Sequence, residues 1–168
     1  MPTDLTAVIA ACTRWLLAAY PPPPGPVNAA LAEAQARQAA TLAAALRYPT
    51  DLDAQLLHVL APSGSGRLDW LAGNEPEDAP WRTWVEEVVV SWAACLLADP
   101  ALAARARRAS TAAGPHGLVG GLERLTSPGA FDAEAGALLR HPDLLEGVAF
   151  LHRDELVELL DSEGVTLA

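Results

Sequence analysis

One stretch constrains the fold more than any other: "WRTWVEEVVVSWAACLLA", residues 81–98. Trp81, Trp84, Val85, Val88, Trp92, Cys95 and Leu96 fall at i, i+3, i+4, i+7, i+11, i+14 and i+15. That is the period of an α-helix with one apolar face. After Glu87 the opposite face becomes apolar too, so the second half of this helix is expected to be buried on every side. Composition decides what surrounds it. The chain has 35 alanines and 27 leucines against two Phe and two Tyr. Ala and Leu favour helix, whereas strands favour β-branched and aromatic residues. There is no sustained apolar–polar alternation and no internal repeat. The expectation is an all-α fold: a single helical domain over 1–168, an irregular bundle of about six to eight helices around a buried central helix, 81–98.

The neighbouring segments carry their own stops and starts. A first helix is expected from about Asp4 to Ala19, capped by Thr3 or Asp4. The run "PPPPGP", 21–26, ends it and reads as a stiff Pro-rich connector. An alanine-rich helix is expected over about 27–46, with Pro26 near its first position. "TDLD", 50–53, opens a third, where Thr50 and Asp53 have capping-box spacing. "PSGSG", 62–66, reads as a flexible loop, with a short helical piece over 67–72. Asp99 and Pro100 start a helix reaching about Ala113, and shorter helices are expected over 118–126, 132–140, 142–152 and 154–161.

Charge and chemistry exclude several classes. All eleven basic residues are arginine, a usage that suits a GC-rich bacterial genome. Without lysine there is neither a Schiff-base amine nor a phosphate loop of the GxxxxGK[ST] type. Net charge is −10, which opposes nonspecific binding to nucleic acid or anionic lipid. The distribution is uneven: −6 over 1–99, +3 over 100–131 and −7 over 132–168. The basic middle and the acidic end either pair with each other or face partners. Cys12 and Cys95 are isolated, which suits a reducing, cytoplasmic setting. Asp4 and Arg14 interrupt the first apolar run, so it does not read as a secretion signal. The apolar stretch 88–98 is too short to span a bilayer.

Motifs for catalysis are lacking. The histidines are His58, His116, His141 and His152, with no HxxxH, HExxH or CxxC spacing among them, so neither metal nor cofactor is expected. His141 and His152 are eleven residues apart and share a helix face only if no kink separates them. Glu86 and Glu87 begin the EExxE pattern by which helical nucleotide pyrophosphohydrolases hold magnesium. Val90 stands at the third acidic position and Leu96 three residues before Asp99, so the pair reads as a solvated face. There is no GxSxG and no histidine paired in sequence with Cys12. Arg105, Arg107 and Arg108 lie near a helix end, where cations are favourable, and are candidates for contact with a phosphate or an acidic patch of a partner. The acids Asp143, Glu146, Asp154, Glu155 and Glu158 read as helix-opening and surface charge.

"GNEPEDAPWRTW", 73–84, is the densest cluster of acids, prolines and tryptophans. Asp78 reads as the cap of the helix that follows, with Pro80 in its first turn and Trp81 and Trp84 on its buried side. Glu75, Glu77 and Asp78 are the candidate partner-binding acids. The order Glu75-Pro76-Glu77-Asp78 before a buried helix resembles the E-P-x-D-H stretch of the TorD-like maturation chaperones of molybdenum oxidoreductases. The resemblance covers about six residues and departs at Ala79, where that pattern has histidine. It implies an all-helical cytoplasmic protein that binds twin-arginine leader peptides.

The functional expectation is a non-catalytic protein–protein interaction module: an adaptor, accessory subunit or regulator acting through helical surfaces on a protein partner or a second copy. The alternatives are the leader-peptide chaperone and a helical-bundle metal-dependent enzyme. Neither nucleic acid nor membrane is expected as a partner.

Overall fold

Most of the helices begin where a side chain or a proline meets the orphan N–H groups of the first turn, α4 and α7 being exceptions. The computed structural model describes residues 4–112 and 121–166, so His116 and the start of the helix expected over 118–126 lie outside the described residues. The ten helices among them are α1 (Thr6–Ala19), α2 (Pro26–Arg47), α3 (Asp51–Leu60), α4 (Ser65–Ala72), α5 (Glu87–Ala98), α6 (Pro100–Ala112), α7 (Glu123–Thr126), α8 (Ala130–Ala135), α9 (Pro142–Ala149) and α10 (Arg153–Thr166). A 3-10 turn, Pro80–Trp84, precedes α5. The all-α bundle stands as expected. The ten helices among the described residues exceed the six to eight expected overall but match the segments expected one by one, the last four being α7–α10.

The caps explain the starts. Asp4 accepts the Thr6 N–H at 2.8 Å ahead of α1. At α3, Thr50 Oγ1 accepts the Asp53 N–H and Asp53 accepts the Thr50 N–H, each at 3.2 Å, completing the capping box. Asp99 accepts the N–H groups of Ala101 and Leu102 at 2.9 and 3.0 Å, with Pro100 first in α6.

The central helix corrects the sequence reading. It does not run through 81–98. Val85 and Glu86 are extended, α5 starts at Glu87, and Glu86 is its cap: the carboxylate accepts the N–H groups of Val88 at 3.0 Å and Val89 at 3.2 Å. Asp78 caps nothing; the position before the 3-10 turn is Ala79, with no side-chain bond. The reason is tertiary. Arg82 in the 3-10 turn pairs with the buried Asp69 of α4, which holds 80–84 against α1 and α4 rather than in line with α5. A capped helix start at Glu86 then replaces continuous helical hydrogen bonding.

From Val88 to Leu97 every residue of α5 is buried, as the periodicity predicts. Helix α2 crosses it most intimately, and α9, α6 and α10 close the other sides. Ala32, Ala36, Ala39, Ala40, Ala43 and Ala44 of α2 are buried, and their small side chains admit close backbone approach. One continuous core joins these elements with Trp15 and Leu16 of α1. No helix among the described residues is long and apolar enough to cross a membrane.

Candidate functional site

Three settings carry the chemistry-bearing residues, and the first is apolar. At about 100° per residue, Leu52, Leu56, Val59 and Leu60 of α3 fall within one stripe, with Ala54 and Leu57 on the opposite side. Ala54 and Leu57 are the face buried on the body. The stripe points outward: Leu52 is 69% exposed, Leu56 43%, Val59 77% and Leu60 73%. Soluble surfaces carry single exposed apolar residues freely, whereas a four-residue stripe on one helix face is an unpartnered surface.

Beside the stripe lies a cleft of about 290 Å³ between α3 and the C-terminal end of α2, lined by Leu56, Leu60 and Pro62 on its apolar side and by Tyr48, Arg47 and Glu86 on its polar side. Arg47 approaches Glu86 at 3.7 Å and lies over the Tyr48 ring, 5.7 Å from its centre. Burial, with the Glu86 carboxylate next in effect, pushes the Tyr48 phenol up to about 12, so it stays a neutral donor. Also on α3, His58 meets the Trp84 ring edge-on at 5.8 Å.

The acidic loop is the second setting. Glu75, Glu77 and Asp78 are all exposed. Glu75 and Glu77 edge a small hollow floored by Trp15, Asp69 and Arg82. Asp69 accepts the Trp15 indole N–H at 2.9 Å and pairs with Arg82; both partners of that ion pair are nearly buried. Trp81 and Trp84 are packed against the core without being fully buried, so they are partial anchors. Arg82 also covers the face of Trp81 at 5.5 Å.

The third setting joins the two ends of the charge pattern. Arg105 pairs with Asp161, and Arg124 with Asp132 at 2.6 Å, so the basic middle and the acidic end meet within one chain. Arg107 and Arg108 edge a shallow hollow with Thr111, Thr126 and Ser127. Glu86 and Glu87 are not a solvated face. Besides the cap at Glu86, Glu87 approaches Arg67 at 3.6 Å and His152 at 2.8 Å.

The described histidines lie in separate places: His58 at Trp84, His141 ahead of α9, and His152 between Glu87 and Glu155. The turn at 150–152 separates α9 from α10 and breaks the common face considered for His141 and His152. No group of three or more His, Cys, Asp or Glu among the described residues is placed to hold a metal ion. Cys12 and Cys95 are buried free thiols, and burial pushes them up to about 12 and about 11.

Sequence reasoning missed two of these features. The outward stripe of α3 was visible as two apolar faces on one short helix. The Asp69–Arg82 pair gave no local signal. No family model, curated protein or solved structure matches the chain.

Proposed function

We propose that this protein is a non-catalytic interaction module that takes an apolar segment of a partner protein, flanked by basic residues, on the α3 stripe and its cleft. The observation that carries the reading is the outward stripe of Leu52, Leu56, Val59 and Leu60. Covering one such side chain is worth roughly 1.5–3 kcal/mol before association costs. The preference for a basic segment comes from charge. The chain carries −10 overall, and two acids, Asp53 and Glu86, border the cleft against one base, Arg47. A second copy brings the same negative charge to the interface, which disfavours self-association there. The buried free thiols suit a reducing, cytoplasmic site of action.

The test compares two synthetic peptides with the same leucine-rich core, one with arginine flanks and one with glutamate flanks, by isothermal titration calorimetry. The basic peptide is expected to bind, and Val59→Ser with Leu60→Ser, which leaves the charge unaltered, to weaken it at least tenfold. Equal binding to the double variant sinks the assignment to α3. Concentration-dependent dimerisation abolished by the same variant reassigns the stripe to a second copy.

The leader-peptide chaperone is a narrower version of this reading. It is favoured by the exposed loop of Glu75, Glu77 and Asp78 ahead of the buried helix. A twin-arginine leader peptide that binds more tightly than the scrambled peptide of equal charge, and loses that margin in Glu75→Gln with Glu77→Gln, supports it; equal affinity for the two peptides ends it.

A further inference from the structure

His152 is fastened from four directions. Its Nε2 lies 2.8 Å from a Glu87 carboxylate oxygen at the start of α5, and its Nδ1 lies 3.0 Å from Glu155 in the first turn of α10. Its backbone N–H donates to Ser91 Oγ at 3.1 Å, and its carbonyl accepts the Trp92 indole N–H at 2.9 Å. Ser91, buried in α5, in turn donates to the Ala149 carbonyl at 3.1 Å, and the Cys95 thiol points to that same oxygen at 3.4 Å. One residue and its neighbours thus hold the α9–α10 joint on the central helix.

We infer that His152 is a pH-operated latch: the imidazolium clamps the α9–α10 joint onto α5, and its deprotonation loosens that joint. A carboxylate only accepts, so two carboxylates on one ring require both ring nitrogens to donate, and only the imidazolium does so. The neutral ring has a single N–H. Its other nitrogen then turns a lone pair toward Glu87 or Glu155, and one of the two bonds becomes a repulsion.

The charged groups at the ring are Glu87 from α5 and Glu155 from α10; Arg67 from α4 approaches Glu87 at 3.6 Å and offsets part of its charge, while Arg153 of α10 acts on the Cys95 thiol. The Cys95 thiol, held up to about 11 by burial, stays neutral through the range in which the ring titrates. Burial disfavours the imidazolium, but the hydrogen bonds to Glu155 and Glu87 outweigh it and raise the His152 pKa above its ordinary 6.5. The sign follows. A raised pKa makes the latch's contribution complete below 6.5 and lost as pH rises through the folded-state value.

The test is amide hydrogen exchange read residue by residue at pH 5.5 and pH 8.5, corrected for intrinsic exchange rates. The amides of His152 and of the first two turns of α10 are expected to lose at least tenfold in protection at the higher pH, while α2 holds its protection. In His152→Gln that pH dependence is expected to vanish. Glu155→Gln, at the exposed end of the clamp, keeps the fold testable and is expected to move the transition to lower pH. An imidazole titration by NMR that gives His152 a pKa at or below 6.5, or equal protection at both pH values in the unaltered protein, overturns the latch.

Discussion

Asp69 is the residue on which the entry to the central helix turns. Its carboxylate serves the Trp15 indole on α1 and the Arg82 guanidinium in the 3-10 turn, at a side-chain exposure of 4%. Removing one partner of a buried pair strands the other charge, whereas removing both costs much less. Asp69→Ala is therefore expected to lower stability by about 3 kcal/mol, and Asp69→Leu with Arg82→Met by distinctly less. Urea denaturation checks this through the midpoint at constant slope. Equal losses in the two variants contradict the pairing. Gly136 makes a different demand. A Cβ there would lie 2.5 Å from Gln35 Oε1. Gln35 cannot retreat: it is fully buried, donates to the Asp132 carbonyl at 2.8 Å and accepts from Arg140 Nε at 2.5 Å. Gly136→Ala is expected to cost about 1–3 kcal/mol by the same measurement.

At the scale of elements, the start of α5 distinguishes two accounts of one helix. If the cap were Asp78, its loss would matter and that of Glu86 would not. The structure has Glu86 accepting two N–H groups and neighbouring Arg47. Glu86→Ala is expected to cost about 1 kcal/mol or more, and Asp78→Ala less than about 0.5 kcal/mol. The contrast also marks what the chain discloses about its own elements. The interior of α5 was legible because ten successive residues are buried and all but Ser91 are apolar. Thr50 and Asp99 were legible as caps because capping is local chemistry. The break at Val85–Glu86 was not. It depends on Asp69, thirteen positions before Arg82, and periodicity alone continues the Trp81–Trp84 stripe straight into α5. Gly64, assigned to a flexible loop, is in fact tightly placed: a Cβ there would lie 2.6 Å from the Glu87 Cβ.

For the whole molecule, charge and apolar surface separate. The charge asymmetry was legible as a pattern, and its resolution within one chain through Arg105–Asp161 and Arg124–Asp132 required the fold. Arg105 therefore carries a structural partner already, leaving Arg107 and Arg108 as the outer members of that group. The reverse holds for α3. The bundle closes without four of its apolar residues, Leu52, Leu56, Val59 and Leu60. A helix whose Ala54 and Leu57 alone are buried is held less firmly than α2 or α5, and it is the surface on which we propose a partner docks. The most direct test of that claim is a hydrogen-exchange footprint of the protein with and without the arginine-flanked leucine-rich peptide. Protection concentrated in residues 50–63, and lost in the Val59→Ser, Leu60→Ser variant, is the expected result. Protection confined to other segments, or none at saturating peptide, contradicts it.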